Sequence, residues 1–214
     1  DSVDIVGAGA ASTIIDGDNS DRVFHVLPCI GNGGSCALGN VVASMSGITI
    51  RHGHTACADL MCSGTSGGGI SAGAIFTGGH YIGPTLTITD CVIEENSALA
   101  GGGGIFAGGQ LTVINSIVAN NTASYGGGIS MQDGGLSLAV KNSAITGNSA
   151  GDGGGISLYI LGGAGAQITN STVSDNHAQL GGGIYVVDSG DLWLNVVNST
   201  LSRNSSTDDG GGFY

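Results

Sequence analysis

Short runs in which apolar and polar residues alternate recur along most of the chain. Such alternation is typical of β-strands that bury one face, because successive side chains of a strand point to opposite sides. In the run at 155–160, the alternation predicts two sets of side chains: Ile156, Leu158 and Ile160 inward, and Ser157 and Tyr159 outward. Glycine or asparagine separates the runs, which predicts short strands that end at turns.

The pattern returns with a period. A Val-x-x-Asn motif or its equivalent is followed by three glycines and an apolar residue, and these apolar residues are Ile105, Ile129, Ile156, Ile184 and Phe213, spaced by 24, 27, 28 and 29 positions. The glycines and the absence of an apolar spacing of about 3.6 exclude a helical repeat. A unit this short cannot bury its own apolar face, so units must stack. Three short strands per unit predict an all-β fold, a parallel β-helix of about seven coils of 24–29 residues.

Asparagines mark two corners of each predicted coil. One corner carries Asp90 in its first copy and then Asn115, Asn142, Asn170 and Asn198. The other corner carries Asn96, Asn121, Asn148, Asn176 and Asn204. Asparagine tolerates the left-handed backbone of a sharp corner, and its amide can both donate and accept along a stack spaced at ~4.8 Å. The second set is therefore predicted to form a structural asparagine ladder.

The GGGI tetrapeptides and the V/I/L-x-x-N motifs resemble the GGAI and FxxN repeats of the chlamydial polymorphic outer-membrane proteins and related bacterial surface β-helices. The resemblance covers about residues 45–214, with Val, Ile or Leu where that family prefers Phe. It implies a right-handed β-helix and a location outside the cell, at the cell surface. It implies no particular activity.

Composition narrows the possible partners. The 214 residues are predicted to form one β-helix domain, 1–214. The 43 glycines follow no Gly-X-Y period, which excludes collagen. The sequence contains no apolar run of ~18 residues, so membrane insertion is not predicted. A net charge of −12 repels nucleic-acid phosphates and anionic lipids, so neither is an expected partner.

Four cysteines fall in loop insertions within residues 28–66, where the chain departs most from the repeat. Cys29 and Cys36 bracket one short loop, and Cys57 and Cys62 bracket another. This spacing predicts two local disulfides, Cys29 with Cys36 and Cys57 with Cys62. Oxidised pairs indicate an extracellular compartment.

Metal binding is the competing interpretation, because His52 and His54 lie near Cys57 in the sequence. Neither cysteine pair has the C-x-x-C spacing typical of zinc sites, so no metal or other cofactor is predicted. The fifth cysteine, Cys91, aligns with serines of the later repeats. That alignment predicts a buried free thiol.

Four asparagines stand in N-x-S/T sequons, namely Asn120, Asn170, Asn198 and Asn204. In a host with N-linked transfer they are candidate glycosylation sites. Glycosylation at Asn120 or Asn204 requires that the side chain leave the corner stack.

The predicted outer faces are small, hydroxylated and nearly uncharged. The outward column after the glycines is Ser71, Phe106, Ser130, Ser157, Tyr185 and Tyr214. Polysaccharide-degrading β-helices need paired carboxylates, or acids with a basic residue, and no strand column combines them, so no catalytic residue is predicted. A non-catalytic extracellular structural or adhesive module accounts for the chain with the fewest assumptions. A polysaccharide-binding or polysaccharide-degrading protein is the first alternative.

An ice-binding flat face is the lesser alternative, and it requires regular columns of threonine. Thr87 and Thr112 begin such a column. Ala139, Gln167 and Asn195 then interrupt it.

Neither end of the sequence carries a recognisable cap, at Val3–Val6 or at Gly210–Tyr214. An uncapped coil exposes apolar side chains and unpaired strand edges, which favour strand addition from another chain. The sequence therefore predicts end-to-end self-association into a filament or stalk, or continuation of the coils in a longer chain.

Overall fold

A computed structural model describes residues 2–27, 29–30, 37–38, 41–55, 66–77, 80–132, 137–160, 164–188 and 192–214. Every regular element among these residues is a β-strand. The same ranges contain no helix long and apolar enough to cross a membrane.

The strands follow one another as stacked coils. The chain begins with β1 (Ser2–Val6), β2 (Ile14–Asp16), β3 (Phe24–His25), the hairpin β4 (Cys29–Ile30) and β5 (Ala37–Leu38), and then β6 (Val42–Ser46), β7 (Thr49–Arg51), β8 (His54–Thr55) and β9 (Ile70–Ala72). A second hairpin, β10 (Ile75–Thr77) and β11 (His80–Ile82), precedes β12 (Thr85–Thr89), β13 (Val92–Glu94), β14 (Ser97–Ala98) and β15 (Ile105–Ala107).

The remaining coils are the most regular. They contain β16 (Gln110–Ile114), β17 (Ile117–Ala119), β18 (Thr122–Tyr125), β19 (Ile129–Gln132), β20 (Ser137–Lys141), β21 (Ala144–Thr146), β22 (Ser149–Asp152) and β23 (Ile156–Ile160). After these come β24 (Ala164–Thr169), β25 (Thr172–Ser174), β26 (His177–Leu180), β27 (Ile184–Asp188), β28 (Leu192–Val197), β29 (Thr200–Ser202) and β30 (Ser205–Asp209). From β12 onward the strands make five coils.

Four parallel sheets run the length of the stack. The first sheet has the order β1-β6-β12-β16-β20-β24-β28, and the second has the order β2-β7-β13-β17-β21-β25-β29. The third is β8-β14-β18-β22-β26-β30, and the fourth is β3-β9-β15-β19-β23-β27. The described strands thus form seven coils, which confirms the predicted parallel β-helix.

Each regular coil contains four strands, so the expectation of three strands per coil is wrong. The strand that the hydrophobic pattern missed belongs to the third sheet. Its inward positions hold small residues such as Ala98, Ala123 and Ala178, which are buried but give little apolar alternation. Polar or charged residues occupy most of its other positions, so the segment has the composition of a turn.

The core consists of columns in which each apolar side chain stacks on its counterpart in the next coil. One column is Ile70, Ile105, Ile129, Ile156 and Ile184, and all five side chains have 0% exposure. Burial of each contributes ~1.5–3 kcal/mol. The predicted alternation in β23 is confirmed for Leu158, which is buried, and for Tyr159, which is exposed. The side chain of Ile160 lies outside the described atoms.

The two asparagine corners differ in backbone conformation. At the first corner Asn115, Asn142, Asn170 and Asn198 have φ between 48° and 51°, which confirms the predicted left-handed backbone. At the second corner the left-handed residue is the one before each ladder asparagine, as at Glu95, Asn120 and Asp175. The prediction that one asparagine both turns the corner and forms the ladder is therefore wrong for the second set, because the two tasks fall to adjacent residues.

The asparagine ladder itself is confirmed. The Nδ2 groups of Asn96, Asn121 and Asn148 each donate to the Oδ1 of the next ladder residue at 3.0 Å, and Asn176 donates to Asn204 at 2.9 Å. Each Oδ1 also accepts the backbone N–H of the preceding ladder residue, and each Nδ2 donates to a carbonyl of the preceding coil, as Asn148 does to Val118 at 3.0 Å. Every hydrogen-bonding group of an interior ladder amide is thus satisfied.

A second ladder, of hydroxyl groups, follows the first corner. The backbone N–H of Cys91 donates to Ser116 Oγ, and Ser116, Ser143 and Ser171 repeat this contact with the next serine, all at 3.1 Å. Cys91 is a buried free thiol, as predicted, and it takes the place of serine in the first copy. Burial raises the pKa of this thiol.

The glycine triplets have a steric cause. The first glycine of each triplet has a left-handed backbone, with φ of 67° at Gly102 and at Gly153. The third glycine lies against the ladder, since a Cβ at Gly155 would stand 3.0 Å from Asn176 Nδ2 and 2.6 Å from Gly183 O. The Asn-to-glycine spacing in the sequence therefore reflects direct contact in the fold.

Candidate functional site

An outer groove lies where the third and fourth sheets meet. β18 and β22 end at Tyr125 and Asp152, and a glycine triplet then turns the chain into β19 and β23. Because the triplets carry no side chains, the corner between the two sheets stays open. The larger side chains on both sides form the walls.

The groove has a volume of about 490 Å³. It is lined by Tyr125, Ser130, Gln132, Asp152, Ser157, Tyr159, Tyr185 and Val187, and these residues define what we call the tyrosine groove. Its members occupy equivalent positions in successive coils, because Ser130 pairs with Ser157 and Ser157 with Tyr185. The groove therefore runs along the stacking axis.

The side-chain polar groups that line the tyrosine groove have no hydrogen-bond partner within the described protein. Ser130 and Ser157 are 4% and 2% exposed, yet their hydroxyls make no such bond. Across the described residues, no fully buried side-chain oxygen or nitrogen lacks a partner. The two hydroxyls must therefore reach the open space of the groove, where a ligand can bind them.

Asp152 and Tyr185 give the groove its electrostatic character. Burial raises the pKa of the Asp152 carboxyl, and no basic side chain lines the groove to oppose this. Burial, followed by the charge of Asp152, raises the pKa of Tyr185. The ring of Tyr185 stacks on that of Tyr214, with centroids 5.7 Å apart and an interplanar angle of 7°.

A charged cluster links the first three coils on the second sheet and its corner. His52 Nδ1 contacts Asp16 at 3.0 Å, and its Nε2 contacts Glu95 at 2.9 Å. Arg51 lies beside Glu94 in the register of the second sheet, but its Nε donates to Asp16 Oδ2 at 2.8 Å. The hydrogen bonds to Glu95 and Asp16 raise the pKa of His52. Further along the same corner, Arg203 Nε forms an ion pair with Asp175 Oδ1 at 2.6 Å.

The histidines of the alternative metal site have other partners. His52 lies between the two carboxylates, and His54 Nδ1 contacts Ser97 Oγ at 2.6 Å. Among the described residues, no group of three or more His, Cys, Asp or Glu side chains could hold a metal ion.

The cysteines of the two predicted pairs lie almost entirely outside the described residues. Cys36, Cys57 and Cys62 lie outside the described residues, and only the backbone of Cys29 is described. The two disulfides therefore stay predictions. So does the disulfide-bearing character of the insertions at 28–66.

The four sequons divide into two groups. Asn120, Asn170 and Asn198 are exposed at corners. Asn204 instead belongs to the ladder, where its Oδ1 accepts from Asn176 and its Nδ2 donates to Val173 O at 2.9 Å. Glycosylation stays a prediction. Asn204 would have to leave the buried ladder to accept it, and Asn170 would have to give up an exposed bond, because its Nδ2 donates to Asn142 Oδ1 at 3.3 Å.

The sequence placed part of the tyrosine groove correctly. The outward column with Ser130, Ser157 and Tyr185 is confirmed by the register of the fourth sheet. Tyr125 and Asp152 were missed, because they belong to the strand that the hydrophobic pattern did not reveal. A signal was present, since each is the residue immediately before a glycine triplet.

A second cavity, of about 340 Å³, lies against the first two coils. Its walls are mostly apolar and include Ile5, Phe24, Val26, Ala43 and Met45. The polar side chains in its lining are those of His25 and Ser44. Since Ser44 already donates to Asp4, this cavity offers few polar contacts to a ligand.

The fold and the groove together define a parallel β-helix with an aromatic site on its outer surface. Residues 29–207 match the family described as right handed beta helix region. The chain belongs to this right-handed β-helix family, because the match covers well over half of its length. No curated protein and no solved structure matches the chain. The narrower likeness to the polymorphic outer-membrane proteins stays a prediction.

Proposed function

We propose that this β-helix is a non-catalytic surface module that binds an extended saccharide in the tyrosine groove. The observation that carries the proposal is the set of unpartnered polar groups between aromatic rings, above all Ser130, Ser157 and Asp152 beside Tyr159 and Tyr185. Sugars present apolar C–H faces that stack on aromatic rings, and hydroxyls that need hydrogen-bond partners. The groove offers both kinds of contact.

Binding fits the groove better than cleavage does. Right-handed β-helix regions occur both in polysaccharide-cleaving enzymes and in proteins that are not enzymes. Glycoside hydrolysis in most families uses two carboxyl groups on either side of the scissile bond. The lining of the groove contributes one, Asp152.

The location and the wider role of the module rest on sequence. The likeness of the GGGI and V/I/L-x-x-N repeats to bacterial surface β-helices favours a place outside the cell, where a saccharide-binding face serves adhesion. End-to-end assembly of the coils remains part of this proposal. Ice binding is not proposed, because the outward column Thr87, Thr112, Ala139, Gln167 and Asn195 is in register but not uniform.

The test is a glycan array with the purified chain, followed by calorimetric titration of the best saccharide. Tyr159→Ala removes an exposed ring from the groove wall and should weaken binding about tenfold, equivalent to ~1.4 kcal/mol. The control is Trp193→Ala, which removes an exposed ring from the first sheet and should leave affinity unchanged. The proposal fails if no saccharide binds, or if both variants lose affinity equally. Release of reducing ends during incubation would show catalysis instead.

A further inference from the structure

The tyrosine groove repeats with the coil. Along the axis, Tyr125 is followed by Asp152, Ser130 by Ser157 and Tyr185, and Gln132 by Tyr159 and Val187. Neighbouring strands of a sheet lie ~4.8 Å apart. A ligand lying in the groove therefore meets a new row of contacts once per coil. That distance is close to the length of one sugar unit in an extended, unbranched chain.

The groove is limited at both ends. In the coil before Ser130, the same column holds Phe106, whose ring lies 3.3 Å from the position of a Cβ on Gly101 and fills the corner. In the coil after Asp152, Leu180 takes the place of the carboxyl, and Tyr185 stacks on Tyr214. The open part thus spans three coils, those of β19, β23 and β27.

The groove carries negative charge without a counter-ion. Asp152 is half-buried and has neither an ion pair nor a hydrogen bond to its carboxyl within the described protein. Of the four basic residues in the sequence, none lines the groove, and Arg51 and Arg203 are held by acids of the second sheet and its corner. A carboxylate or sulfate on a ligand would stand beside Asp152 in a partly desolvated site, where repulsion between like charges is strong.

We propose that the groove selects a neutral, unbranched saccharide of three units that lies parallel to the helix axis, and that Asp152 is the residue that excludes acidic sugars. This inference rests on the proposed saccharide-binding function. Ser130 and Ser157 bind hydroxyls of successive units, and the rings of Tyr125 and Tyr159 hold the sugar faces. Asp152 accepts a hydrogen bond from a sugar hydroxyl, the charge-assisted kind that a neutral sugar can supply.

The experiment titrates the chain with two sets of oligomers, each of one to six units. The neutral set contains β-1,4-linked glucose, mannose, xylose and N-acetylglucosamine, and the acidic set contains galacturonate and mannuronate oligomers. For the best neutral sugar, affinity should rise from one to three units by at least tenfold and then stay level. The acidic oligomers should bind at least tenfold more weakly than the neutral ones.

Asp152→Asn should reduce this selectivity, because the amide keeps the shape of the side chain without its charge. We expect acidic oligomers to gain at least fivefold in affinity. The matched control is Asp209→Asn, which changes an exposed aspartate two coils further along the same column, outside the groove. This variant should bind neutral and acidic oligomers with unchanged affinity.

The outcomes separate the two proposals. If no oligomer of either set binds, the saccharide-binding function itself fails. If saccharides bind but acidic ones bind as well as neutral ones, or if affinity keeps rising beyond three units, the function stands and this inference is wrong. A proline-rich peptide, which also suits aromatic grooves, is included as a probe, and its binding in place of saccharides would overturn both.

Discussion

The asparagine ladder and the tyrosine groove are both columns of nearly buried polar side chains, but they differ in how many of their hydrogen bonds are made. Asn148, with 1% exposure, uses both N–H groups of its amide and accepts two further bonds. Ser157, with 2% exposure, makes none through its hydroxyl. Burial alone therefore does not distinguish a structural polar group from one that can bind a ligand. The two are distinguished by whether their hydrogen bonds are already made within the protein.

The difference follows from the side of the coil on which each column lies. Ladder side chains point into the coil, where an unmade hydrogen bond would cost ~1–3 kcal/mol, so only a complete network is stable there. Groove side chains point outward into the open space of the groove, so water can satisfy them until a ligand binds. In each coil, the ladder asparagine stabilises the fold, and the groove side chains offer hydrogen bonds to a ligand.

The largest expected effect is the loss of a ladder amide. In Asn148→Ala the N–H and Nδ2 of Asn121 lose their acceptor in the core, and the free energy of unfolding should fall by about 4 kcal/mol, since each unsatisfied group costs ~1–3 kcal/mol. The control is Asn142→Gly, which removes an exposed corner amide but keeps the left-handed backbone and should cost under ~0.5 kcal/mol. Urea unfolding of both variants measures the difference, and equal losses would contradict the distinction.

A smaller effect is expected from crowding the same ladder. In Gly155→Ala the new Cβ meets Asn176 Nδ2 and Gly183 O, and we expect a loss of about 2 kcal/mol, within the ~1–3 kcal/mol of other overpacked cores. Gly73→Ala is the control, because its nearest atom is 3.7 Å from the new Cβ. Thermal unfolding should separate the two variants by several degrees. An unchanged melting temperature for Gly155→Ala would show that the ladder can shift.

Two serines of similar burial test the comparison most directly. Ser143→Ala leaves the N–H of Ser116 without its acceptor and should cost about 1–2 kcal/mol. Ser157→Ala removes a hydroxyl with no partner in the protein and should leave stability unchanged while weakening the saccharide. Urea unfolding and calorimetric titration of the same two preparations give both quantities. A destabilised Ser157→Ala would mean that its hydroxyl belongs to the structural network.

The sequence was sufficient for the repeat but not for every strand within it. The period, the inward isoleucines and the ladder could be predicted because each coil repeats the same residue types at the same places. The third sheet could not, since residues such as Ala123 and Ala178 bury a strand without an apolar pattern. That omission hid Tyr125 and Asp152, and with them one wall of the groove. Hydrogen bonds left unmade, as at Ser157, depend on neighbouring coils and cannot be predicted from one sequence.

The asparagine and hydroxyl ladders contain no ionisable group except Cys91, so the pH dependence of the stability should arise mainly from other residues. The residue with the clearest expected contribution is His52. Its pKa is raised by Glu95 and Asp16, so its contribution to stability is complete below the ordinary value of 6.5 and is lost as pH rises through the raised value. The pKa of Asp16 is lowered from 3.8 to about 2, so its contribution is complete above 3.8 and is lost as pH falls towards 2.

The cluster should therefore be strongest between about pH 4 and 6.5. In His52→Gln the stability lost relative to the unmodified chain should be greatest in that window and should shrink above it. Urea unfolding at pH 5 and pH 9 checks this. An equal loss at both values would show that the imidazole acts through packing rather than charge.

The smallest expected effect on stability is that of replacing Asp152, and this replacement should stabilise the fold rather than destabilise it. Burial raises its pKa above 3.8, so the folded state holds this proton more tightly, and the stability associated with it is present below 3.8 and lost as pH rises through the raised value. Asp152→Asn should therefore leave stability unchanged at pH 3.5 and increase it slightly at pH 7. The contrasting variant is Asp175→Asn, because the bond to Arg203 lowers the pKa of Asp175. That variant should lose stability at pH 7, and the loss should diminish in acid. If the stability of both variants changes with pH in the same direction, then the Asp152 carboxylate has a partner within the protein. In that case the groove, like the ladder, holds its polar groups in internal bonds, and the argument for a binding site fails.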